Sequence, residues 1–207
     1  MVAEMVAVLD THFPFRGTKP GAFPLPFHHW RPRTVETAGV ARSEADDTLR
    51  YCDSYSRLPA ILDCHDAGLP LHDTRVLLGE WCSLCDNIGR YKGELEDILP
   101  ASPCPEMMTS DEETTLASLP DLITIHRGVD LSREASIRGI CWSLERAQAE
   151  RFPFYVRYLA ELPGILTATV RRDRITALKS CRQEGEIVTF CARIRSKRNI
   201  ERRRIAG

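Results

Sequence analysis

Two carboxylates stand two residues apart in the run Gln183-Glu184-Gly185-Glu186-Ile187-Val188-Thr189-Phe190, directly ahead of its apolar half. On a β-strand, residues i and i+2 share a face, so Glu184 and Glu186 would present side by side. Like charges held together in water-poor surroundings push their pKa values apart. Such a pair can do acid–base or electrostatic work on a reacting centre. It also fits a solvated strand edge, the commoner setting, and the run alone does not choose.

Two upstream segments carry further chemistry. Leu122-Ile123-Thr124-Ile125-His126-Arg127-Gly128 reads as a β-rich strand ending in a base, a permanent cation and a glycine. Gly139-Ile140-Cys141-Trp142-Ser143-Leu144 reads as a strand, and Glu145 to Phe152 as the helix it runs into. The three segments come in the order His-Arg-Gly, then a strand with Cys, Trp and Ser, then Glu-x-Glu before an apolar strand.

From Leu122 to about Phe190, that order resembles the Arg-Ser-Glu, cholera-toxin-like class of mono-ADP-ribosyltransferases. The resemblance implies NAD as substrate and an α+β fold: an ADP-ribosyltransferase-like split β-sandwich, two small and mostly antiparallel sheets with helices, divided by the NAD cleft. It implies Glu186 as the catalytic carboxylate, holding a ribose hydroxyl and stabilising an oxocarbenium-like ribose. Glu184 would orient or deprotonate the attacking group. Arg127 would bind phosphate or ribose, which its planar, always-charged fork suits. Gly128 would let the backbone approach the dinucleotide, and His126 would form a wall. The class places a serine where this chain has Cys141. A thiol is a weak donor, so either Cys141 stands in for that serine or Ser143 does so from the same strand face. No metal is implied.

These residues need a frame. A helix is expected from the Ser43-Glu44 region to about Arg57, and another over Pro59 to Ala67 with Gly68 as its stop. Leu77, Leu78, Trp81, Leu84, Cys85, Ile88, Leu95 and Leu99 keep one stripe, which predicts a long helix from Asp73 to Leu99. Pro100 to Pro105 reads as a hinge, which divides the chain into 1–105 and 106–207. Ser110 and Glu113 have capping-box spacing. Later strands are expected at Ile165–Val170, Ile175–Leu178 and Glu186–Arg193. A helix is expected to resume over Phe154 to Glu161, and an arginine-rich tail to follow, Arg195 to Arg204. Met1 to Arg33 is rich in proline and phenylalanine and reads as an extended arm; His28-His29-Trp30 has the look of a metal or stacking cluster, but an arm anchored by Trp30 is the plainer reading.

Composition bounds the rest. The 207 residues have ordinary apolar and charged fractions, and no apolar run reaches the roughly 20 residues a membrane helix needs. No secretory signal is apparent, so a cytoplasmic protein, or one delivered as a toxin or effector, is expected. Eight cysteines show no regular framework. Cys82-Ser83-Leu84-Cys85, with Cys64, His65 and His72 as co-ligands, could hold zinc, but core-side cysteines are the plainer reading. Residues 1–120 carry 10 basic and 19 acidic groups, and residues 121–207 carry 18 and 10. The basic half suits a dinucleotide, a nucleic acid or the acidic half itself.

The expected activity is transfer of ADP-ribose from NAD to a protein, with arginine as one candidate side chain, or to a nucleic acid. An NAD glycohydrolase would use the same site. The competing reading is a nucleic-acid-binding or inert interaction protein on a relic transferase fold, its contact made through Arg193 to Arg204.

Overall fold

The computed structural model describes residues 40–86, 88–155, 159–180 and 185–201. The N-terminal arm with His28, His29 and Trp30 lies outside them, as do Glu184 and the end of the arginine-rich segment. By its contacts the chain forms two compact units, one ending at 87 and one beginning at Ile88.

The first unit is helical. Helix α1 spans Arg42–Arg50, α2 Arg57–Asp66 and α3 Leu71–Trp81. Glu44 closes the start of α1 by accepting from the Ala41 N–H. Gly68, at φ 99°, takes the left-handed turn after α2 that a side chain would resist. Leu49, Leu58, Ile61, Leu62, Leu77 and Leu78 are fully buried and form its core. Arg57 lies over the Trp81 ring at 4.6 Å and donates to the carbonyls of Cys52 and Leu84.

The expected long helix from Asp73 to Leu99 is broken. After Trp81 come one 3-10 turn, Cys82–Leu84, an extended Cys85, a second 3-10 turn, Ile88–Tyr91, and α4, Lys92–Ile98. The break has a polar cause. The Asp86 amide donates to the Ser54 carbonyl, and the Ser54 hydroxyl donates to the Asp86 carboxylate. These bonds take the backbone out of the helical ladder.

The second unit holds one six-stranded antiparallel sheet. Its strands are β1 Leu122–Asp130, β2 Cys141–Ser143, β3 Pro163–Arg171, β4 Ala177–Lys179, β5 Glu186–Val188 and β6 Arg193–Asn199, in the order β4-β5-β2-β1-β3-β6. Helices are interspersed: α5 Ser110–Ser118, α6 Glu134–Ile137 and α7 Arg146–Ala149. The cap of α5 is Thr109 with Glu112, one residue before the expected pair. One sheet stands where two were expected, yet its halves β4-β5-β2 and β1-β3-β6 meet at a single paired position, His126 opposite Ser143.

Alternation sorts the sheet's faces. Ile123, Ile125 and Val129 of β1, Trp142 of β2, Leu166, Ala168 and Val170 of β3, Leu178 of β4 and Ile187 of β5 form the buried core. Leu116 of α5 packs into it.

Several expected boundaries moved for reasons of pairing. Strand β1 runs on to Asp130 because all nine of its residues pair with β3. The expected strand Glu186–Arg193 is two strands on opposite sides of the sheet. Thr189 separates them: its amide donates to the Ile140 carbonyl and its hydroxyl to that of Arg174. What reads as a basic tail begins as edge strand β6, hydrogen-bonded to β3. No helix resumes among the described residues of Phe154–Glu161. The proline run at 100–105 is pinned beside β4, with the Cys104 amide donating to the Thr176 carbonyl and the Thr176 hydroxyl to that of Pro100. The divide at Ile88 therefore lies upstream of the proline run that suggested a hinge.

Candidate active site

The three segments singled out in the sequence become the neighbouring strands β1, β2 and β5. Their register makes one transverse row: His126 opposite Ser143, and Ser143 opposite Glu186. Residues directly opposite on paired strands point to the same face, with Cβ atoms roughly 4.5–5.5 Å apart. Lys179 of β4 extends the row beyond Glu186, and Thr167 and Ser196 extend it beyond His126. This face is the one turned away from the Ile125–Trp142–Ile187 core.

Glu186 is half-buried at the start of β5. Gly185, immediately before it, has φ +51°, a conformation that a side chain would strain. The Gly185 carbonyl accepts from the Leu144 N–H, which ties this turn to the end of β2. Ser143 is buried, and its hydroxyl oxygen accepts from the Glu145 N–H at the start of α7. Cys141 pairs with Val188, two residues along the strand from Ser143, Glu186's own partner.

His126 is half-buried, with Nδ1 3.2 Å from the Thr167 hydroxyl. Burial lowers its pKa, the nearby Arg146 lowers it further, and Glu150 opposes them. The balance favours the neutral ring. Arg146 and Glu150 form an ion pair across one turn at 2.7 Å.

Arg127 falls on the other side of β1 from this row, by the alternation of the strand. Its guanidinium donates to the carbonyls of Ser136 and Cys141 and lies where a Cβ on Gly139 would be. In this conformation it fastens β1 to the approach of β2. Gly128 is on the row's face, but its missing side chain makes room for the protein itself. A Cβ there would strike the Ala149 carbonyl and come within 2.6 Å of Pro153. Close packing of α7 and the following turn, rather than approach of a dinucleotide, accounts for this glycine in the structure. Glu184 lies outside the described residues.

Two features beside the row were not anticipated. Lys179 and Glu112 form an ion pair at 2.7 Å, and both are buried. The Lys179 ammonium also donates to the Met107 carbonyl. Glu112 accepts from the Thr109 amide and from the Ser180 amide and hydroxyl. Burial alone would raise the Glu112 carboxyl, but these donors outweigh it and hold it below the usual range. The second feature is Thr167, which orients His126. A β-branched residue in the middle of a strand carries no mark of that role in the sequence.

Elsewhere, the Cys52 and Cys64 thiols are pushed up by burial to about 11 and about 12, so they are protonated at neutral pH. His65 Nδ1 is 3.1 Å from the Thr74 hydroxyl. Among the described residues no group of three or more His, Cys, Asp and Glu side chains is gathered as a metal would require, and no helix is long and apolar enough to cross a membrane.

No protein-family model, curated protein or solved structure matches this chain.

Proposed function

We propose that this protein is an NAD-dependent mono-ADP-ribosyltransferase, acting on a protein or nucleic-acid acceptor. One observation carries the reading. His126, Ser143 and Glu186 come from three segments far apart in sequence, and they stand in one row across β1, β2 and β5. That row crosses the single paired position where the two halves of the sheet meet, which is where a split sheet would open to a ligand. The finer expectation, an ADP-ribosyltransferase-like split sandwich, draws its support from this weak seam.

The chemistry follows from the residues. Breaking the nicotinamide–ribose bond leaves a ribose with oxocarbenium character, and a fixed carboxylate beside it lowers that barrier. Glu186 takes that role. Ser143, directly opposite, is the hydroxyl that orients it, so the position occupied by Cys141 is not needed for this purpose. His126 is neutral and held by Thr167, and it offers its ring as a wall or hydrogen-bonding partner to the ribose side. Arg127 holds the corner of β1 and β2; contact with a phosphate would require its guanidinium to leave the Cys141 carbonyl. Glu184 remains the proposed group for orienting the acceptor.

The test is incubation of the purified chain, in a cell extract, with NAD labelled on its adenylate, beside Glu186→Gln. Label passing to a macromolecule with the wild type alone supports a transferase. Free ADP-ribose without labelled macromolecule indicates a glycohydrolase. Equal turnover by both proteins would remove Glu186 from the site.

A further inference from the structure

The row does not stop at His126. It continues through Thr167 to Ser196 on edge strand β6. The parallel line one step along the strands runs Thr124, Thr169, Arg193. The register shifts between Thr167 and Ala168, which leaves Arg195 as an extra residue in β6. Its Nε donates to the Thr169 hydroxyl at 3.0 Å, which brings its guanidinium onto the same face. Arg198, opposite Ile165, also belongs to this face. Thr124 and all three arginines are exposed, while Thr167 and Thr169 are half-buried.

Ile165 is buried on this face and Ala149 and Pro153 pack against Gly128 beside it; the rest of the surface is polar, exposed and cationic. The carboxylates at its ends are engaged. Asp130 accepts from the amides of Ser132, Glu161 and Leu162. Asp121 pairs with Arg172, and Asp173 with Arg171. Lysine and arginine on an edge strand also discourage strand-to-strand association, but that role does not require a face. Here the cations and hydroxyls share one face, and that face leads to Glu186.

We propose that this face of β1, β3 and β6 binds the phosphate backbone of a nucleic acid and leads it to the carboxylate row, which makes nucleic acid the acceptor class. The assignment of an acceptor rests on the transferase reading; the binding surface does not. Arginines spaced along a strand and interleaved with hydroxyls match repeating phosphates, which accept from both. The surface has little aromatic area for stacking bases, so binding is expected to depend on salt and to be indifferent to sequence.

The experiment uses the full chain and a fluorescein-labelled, mixed-sequence single-stranded oligonucleotide, with anisotropy read at stepped potassium chloride. Each phosphate contact contributes a slope of about −0.7 in log affinity against log salt. Arg193→Gln/Arg195→Gln/Arg198→Gln should flatten the slope by about 2 and weaken binding at least about tenfold at low salt. Thr124→Glu removes no arginine and adds a carboxylate on the β1 margin of the face; it should weaken binding too. Lys197→Gln, one charge on the opposite face of the same strand, should leave binding within about twofold. Equal loss per charge from Lys197 and from the three arginines would overturn the proposal, and so would absence of oligonucleotide binding. If the triple variant raised KM for NAD and kept oligonucleotide binding, the arginines would hold the dinucleotide's own phosphates, and the proposal would fall. Salt-dependent binding through this face without NAD turnover would leave the surface standing and remove the transferase. Label transfer from NAD to the oligonucleotide, lost in Glu186→Gln, would support both.

Discussion

Ser143 and Glu186 face each other directly across β2 and β5, and the Leu144 amide beside Ser143 donates to the carbonyl of Gly185 beside Glu186. The hydroxyl and the carboxylate are thus set by backbone pairing rather than by flexible side-chain contacts. This predicts a ranking. On the proposed transferase reading, Glu186→Gln should lower NAD turnover at least about 100-fold. Ser143→Ala should lower it about tenfold or more, and Cys141→Ala less, since Cys141 pairs with Val188 instead. Steady-state kinetics on the three variants, with melting curves to confirm folding, would check the order. A larger loss from Cys141→Ala would return the supporting role to the thiol.

Gly139 and Arg127 are coupled by space. The Arg127 guanidinium occupies the site of a Cβ at Gly139. Gly139→Ala should push the guanidinium off the Cys141 carbonyl and loosen the corner of β1 and β2. The expected cost is about 1–3 kcal/mol. Arg127→Lys should lose the two-carbonyl bridge and show a similar loss. If the two changes act through one contact, urea melts of the double variant should show much less than their sum.

The pair of Lys179 and Glu112 is buried, so its halves should not be equivalent to surface charges. Lys179→Met leaves the Glu112 carboxylate inside with fewer donors and should cost about 3–5 kcal/mol. Lys179→Met with Glu112→Gln removes both charges while an amide oxygen stays to accept from Thr109 or Ser180, and should recover part of that loss. Because Lys179 lies opposite Glu186, NAD turnover of the double variant also reports whether the cation supports the row. Denaturation midpoints and kcat measured on the same samples would separate the two effects.

Acid should weaken the second unit through Asp130. Burial tends to raise this carboxyl, but the Ser132 hydroxyl and the amides of Ser132, Glu161 and Leu162 bring it down to about 2, against an ordinary 3.8. A depressed carboxyl stabilises the fold fully above its unfolded value. That contribution, on the order of 2 kcal/mol, is lost as the pH falls from about 4 towards about 2. Asp130→Asn should melt earlier at pH 7 and show a flatter decline in this acid window. Thermal melts at stepped pH would check it, and a profile parallel to the wild type would show that Asp130 contributes nothing there.

His126 should titrate below the ordinary 6.5, because burial and Arg146 both disfavour its cation. Its neutral form contributes to stability above 6.5, and that contribution is lost as the pH falls through the depressed value. Removing a neighbouring positive charge should reverse part of the shift, so Arg146→Ala should move the midpoint up. The imidazole proton resonances followed by NMR would give both values. A midpoint at or above 6.5 in the wild type would show that burial and Arg146 do not govern the ring.

Much of the local structure was legible in the residues because it rests on short-range physics. The β-branched runs made strands at Leu122 and Ile165, and Gly68 stopped a helix. The order of the motifs around Arg127, Ser143 and Glu186 was also written in the chain. What the tertiary structure alone decided was which residues meet. A run of basic residues looks the same as a tail or as a strand until β3 offers its hydrogen bonds to Arg193–Asn199. A helical stripe cannot reveal that Ser54 will take the Asp86 amide. Gly128 looks open to a ligand until Ala149 and Pro153 pack against it. Long-range pairing depends on the register of strands distant in sequence, and moving a strand by one residue turns its whole set of side chains to the other face. The types of the candidate groups therefore belong to the sequence, and the row that brings His126, Ser143 and Glu186 onto one face belongs to the fold.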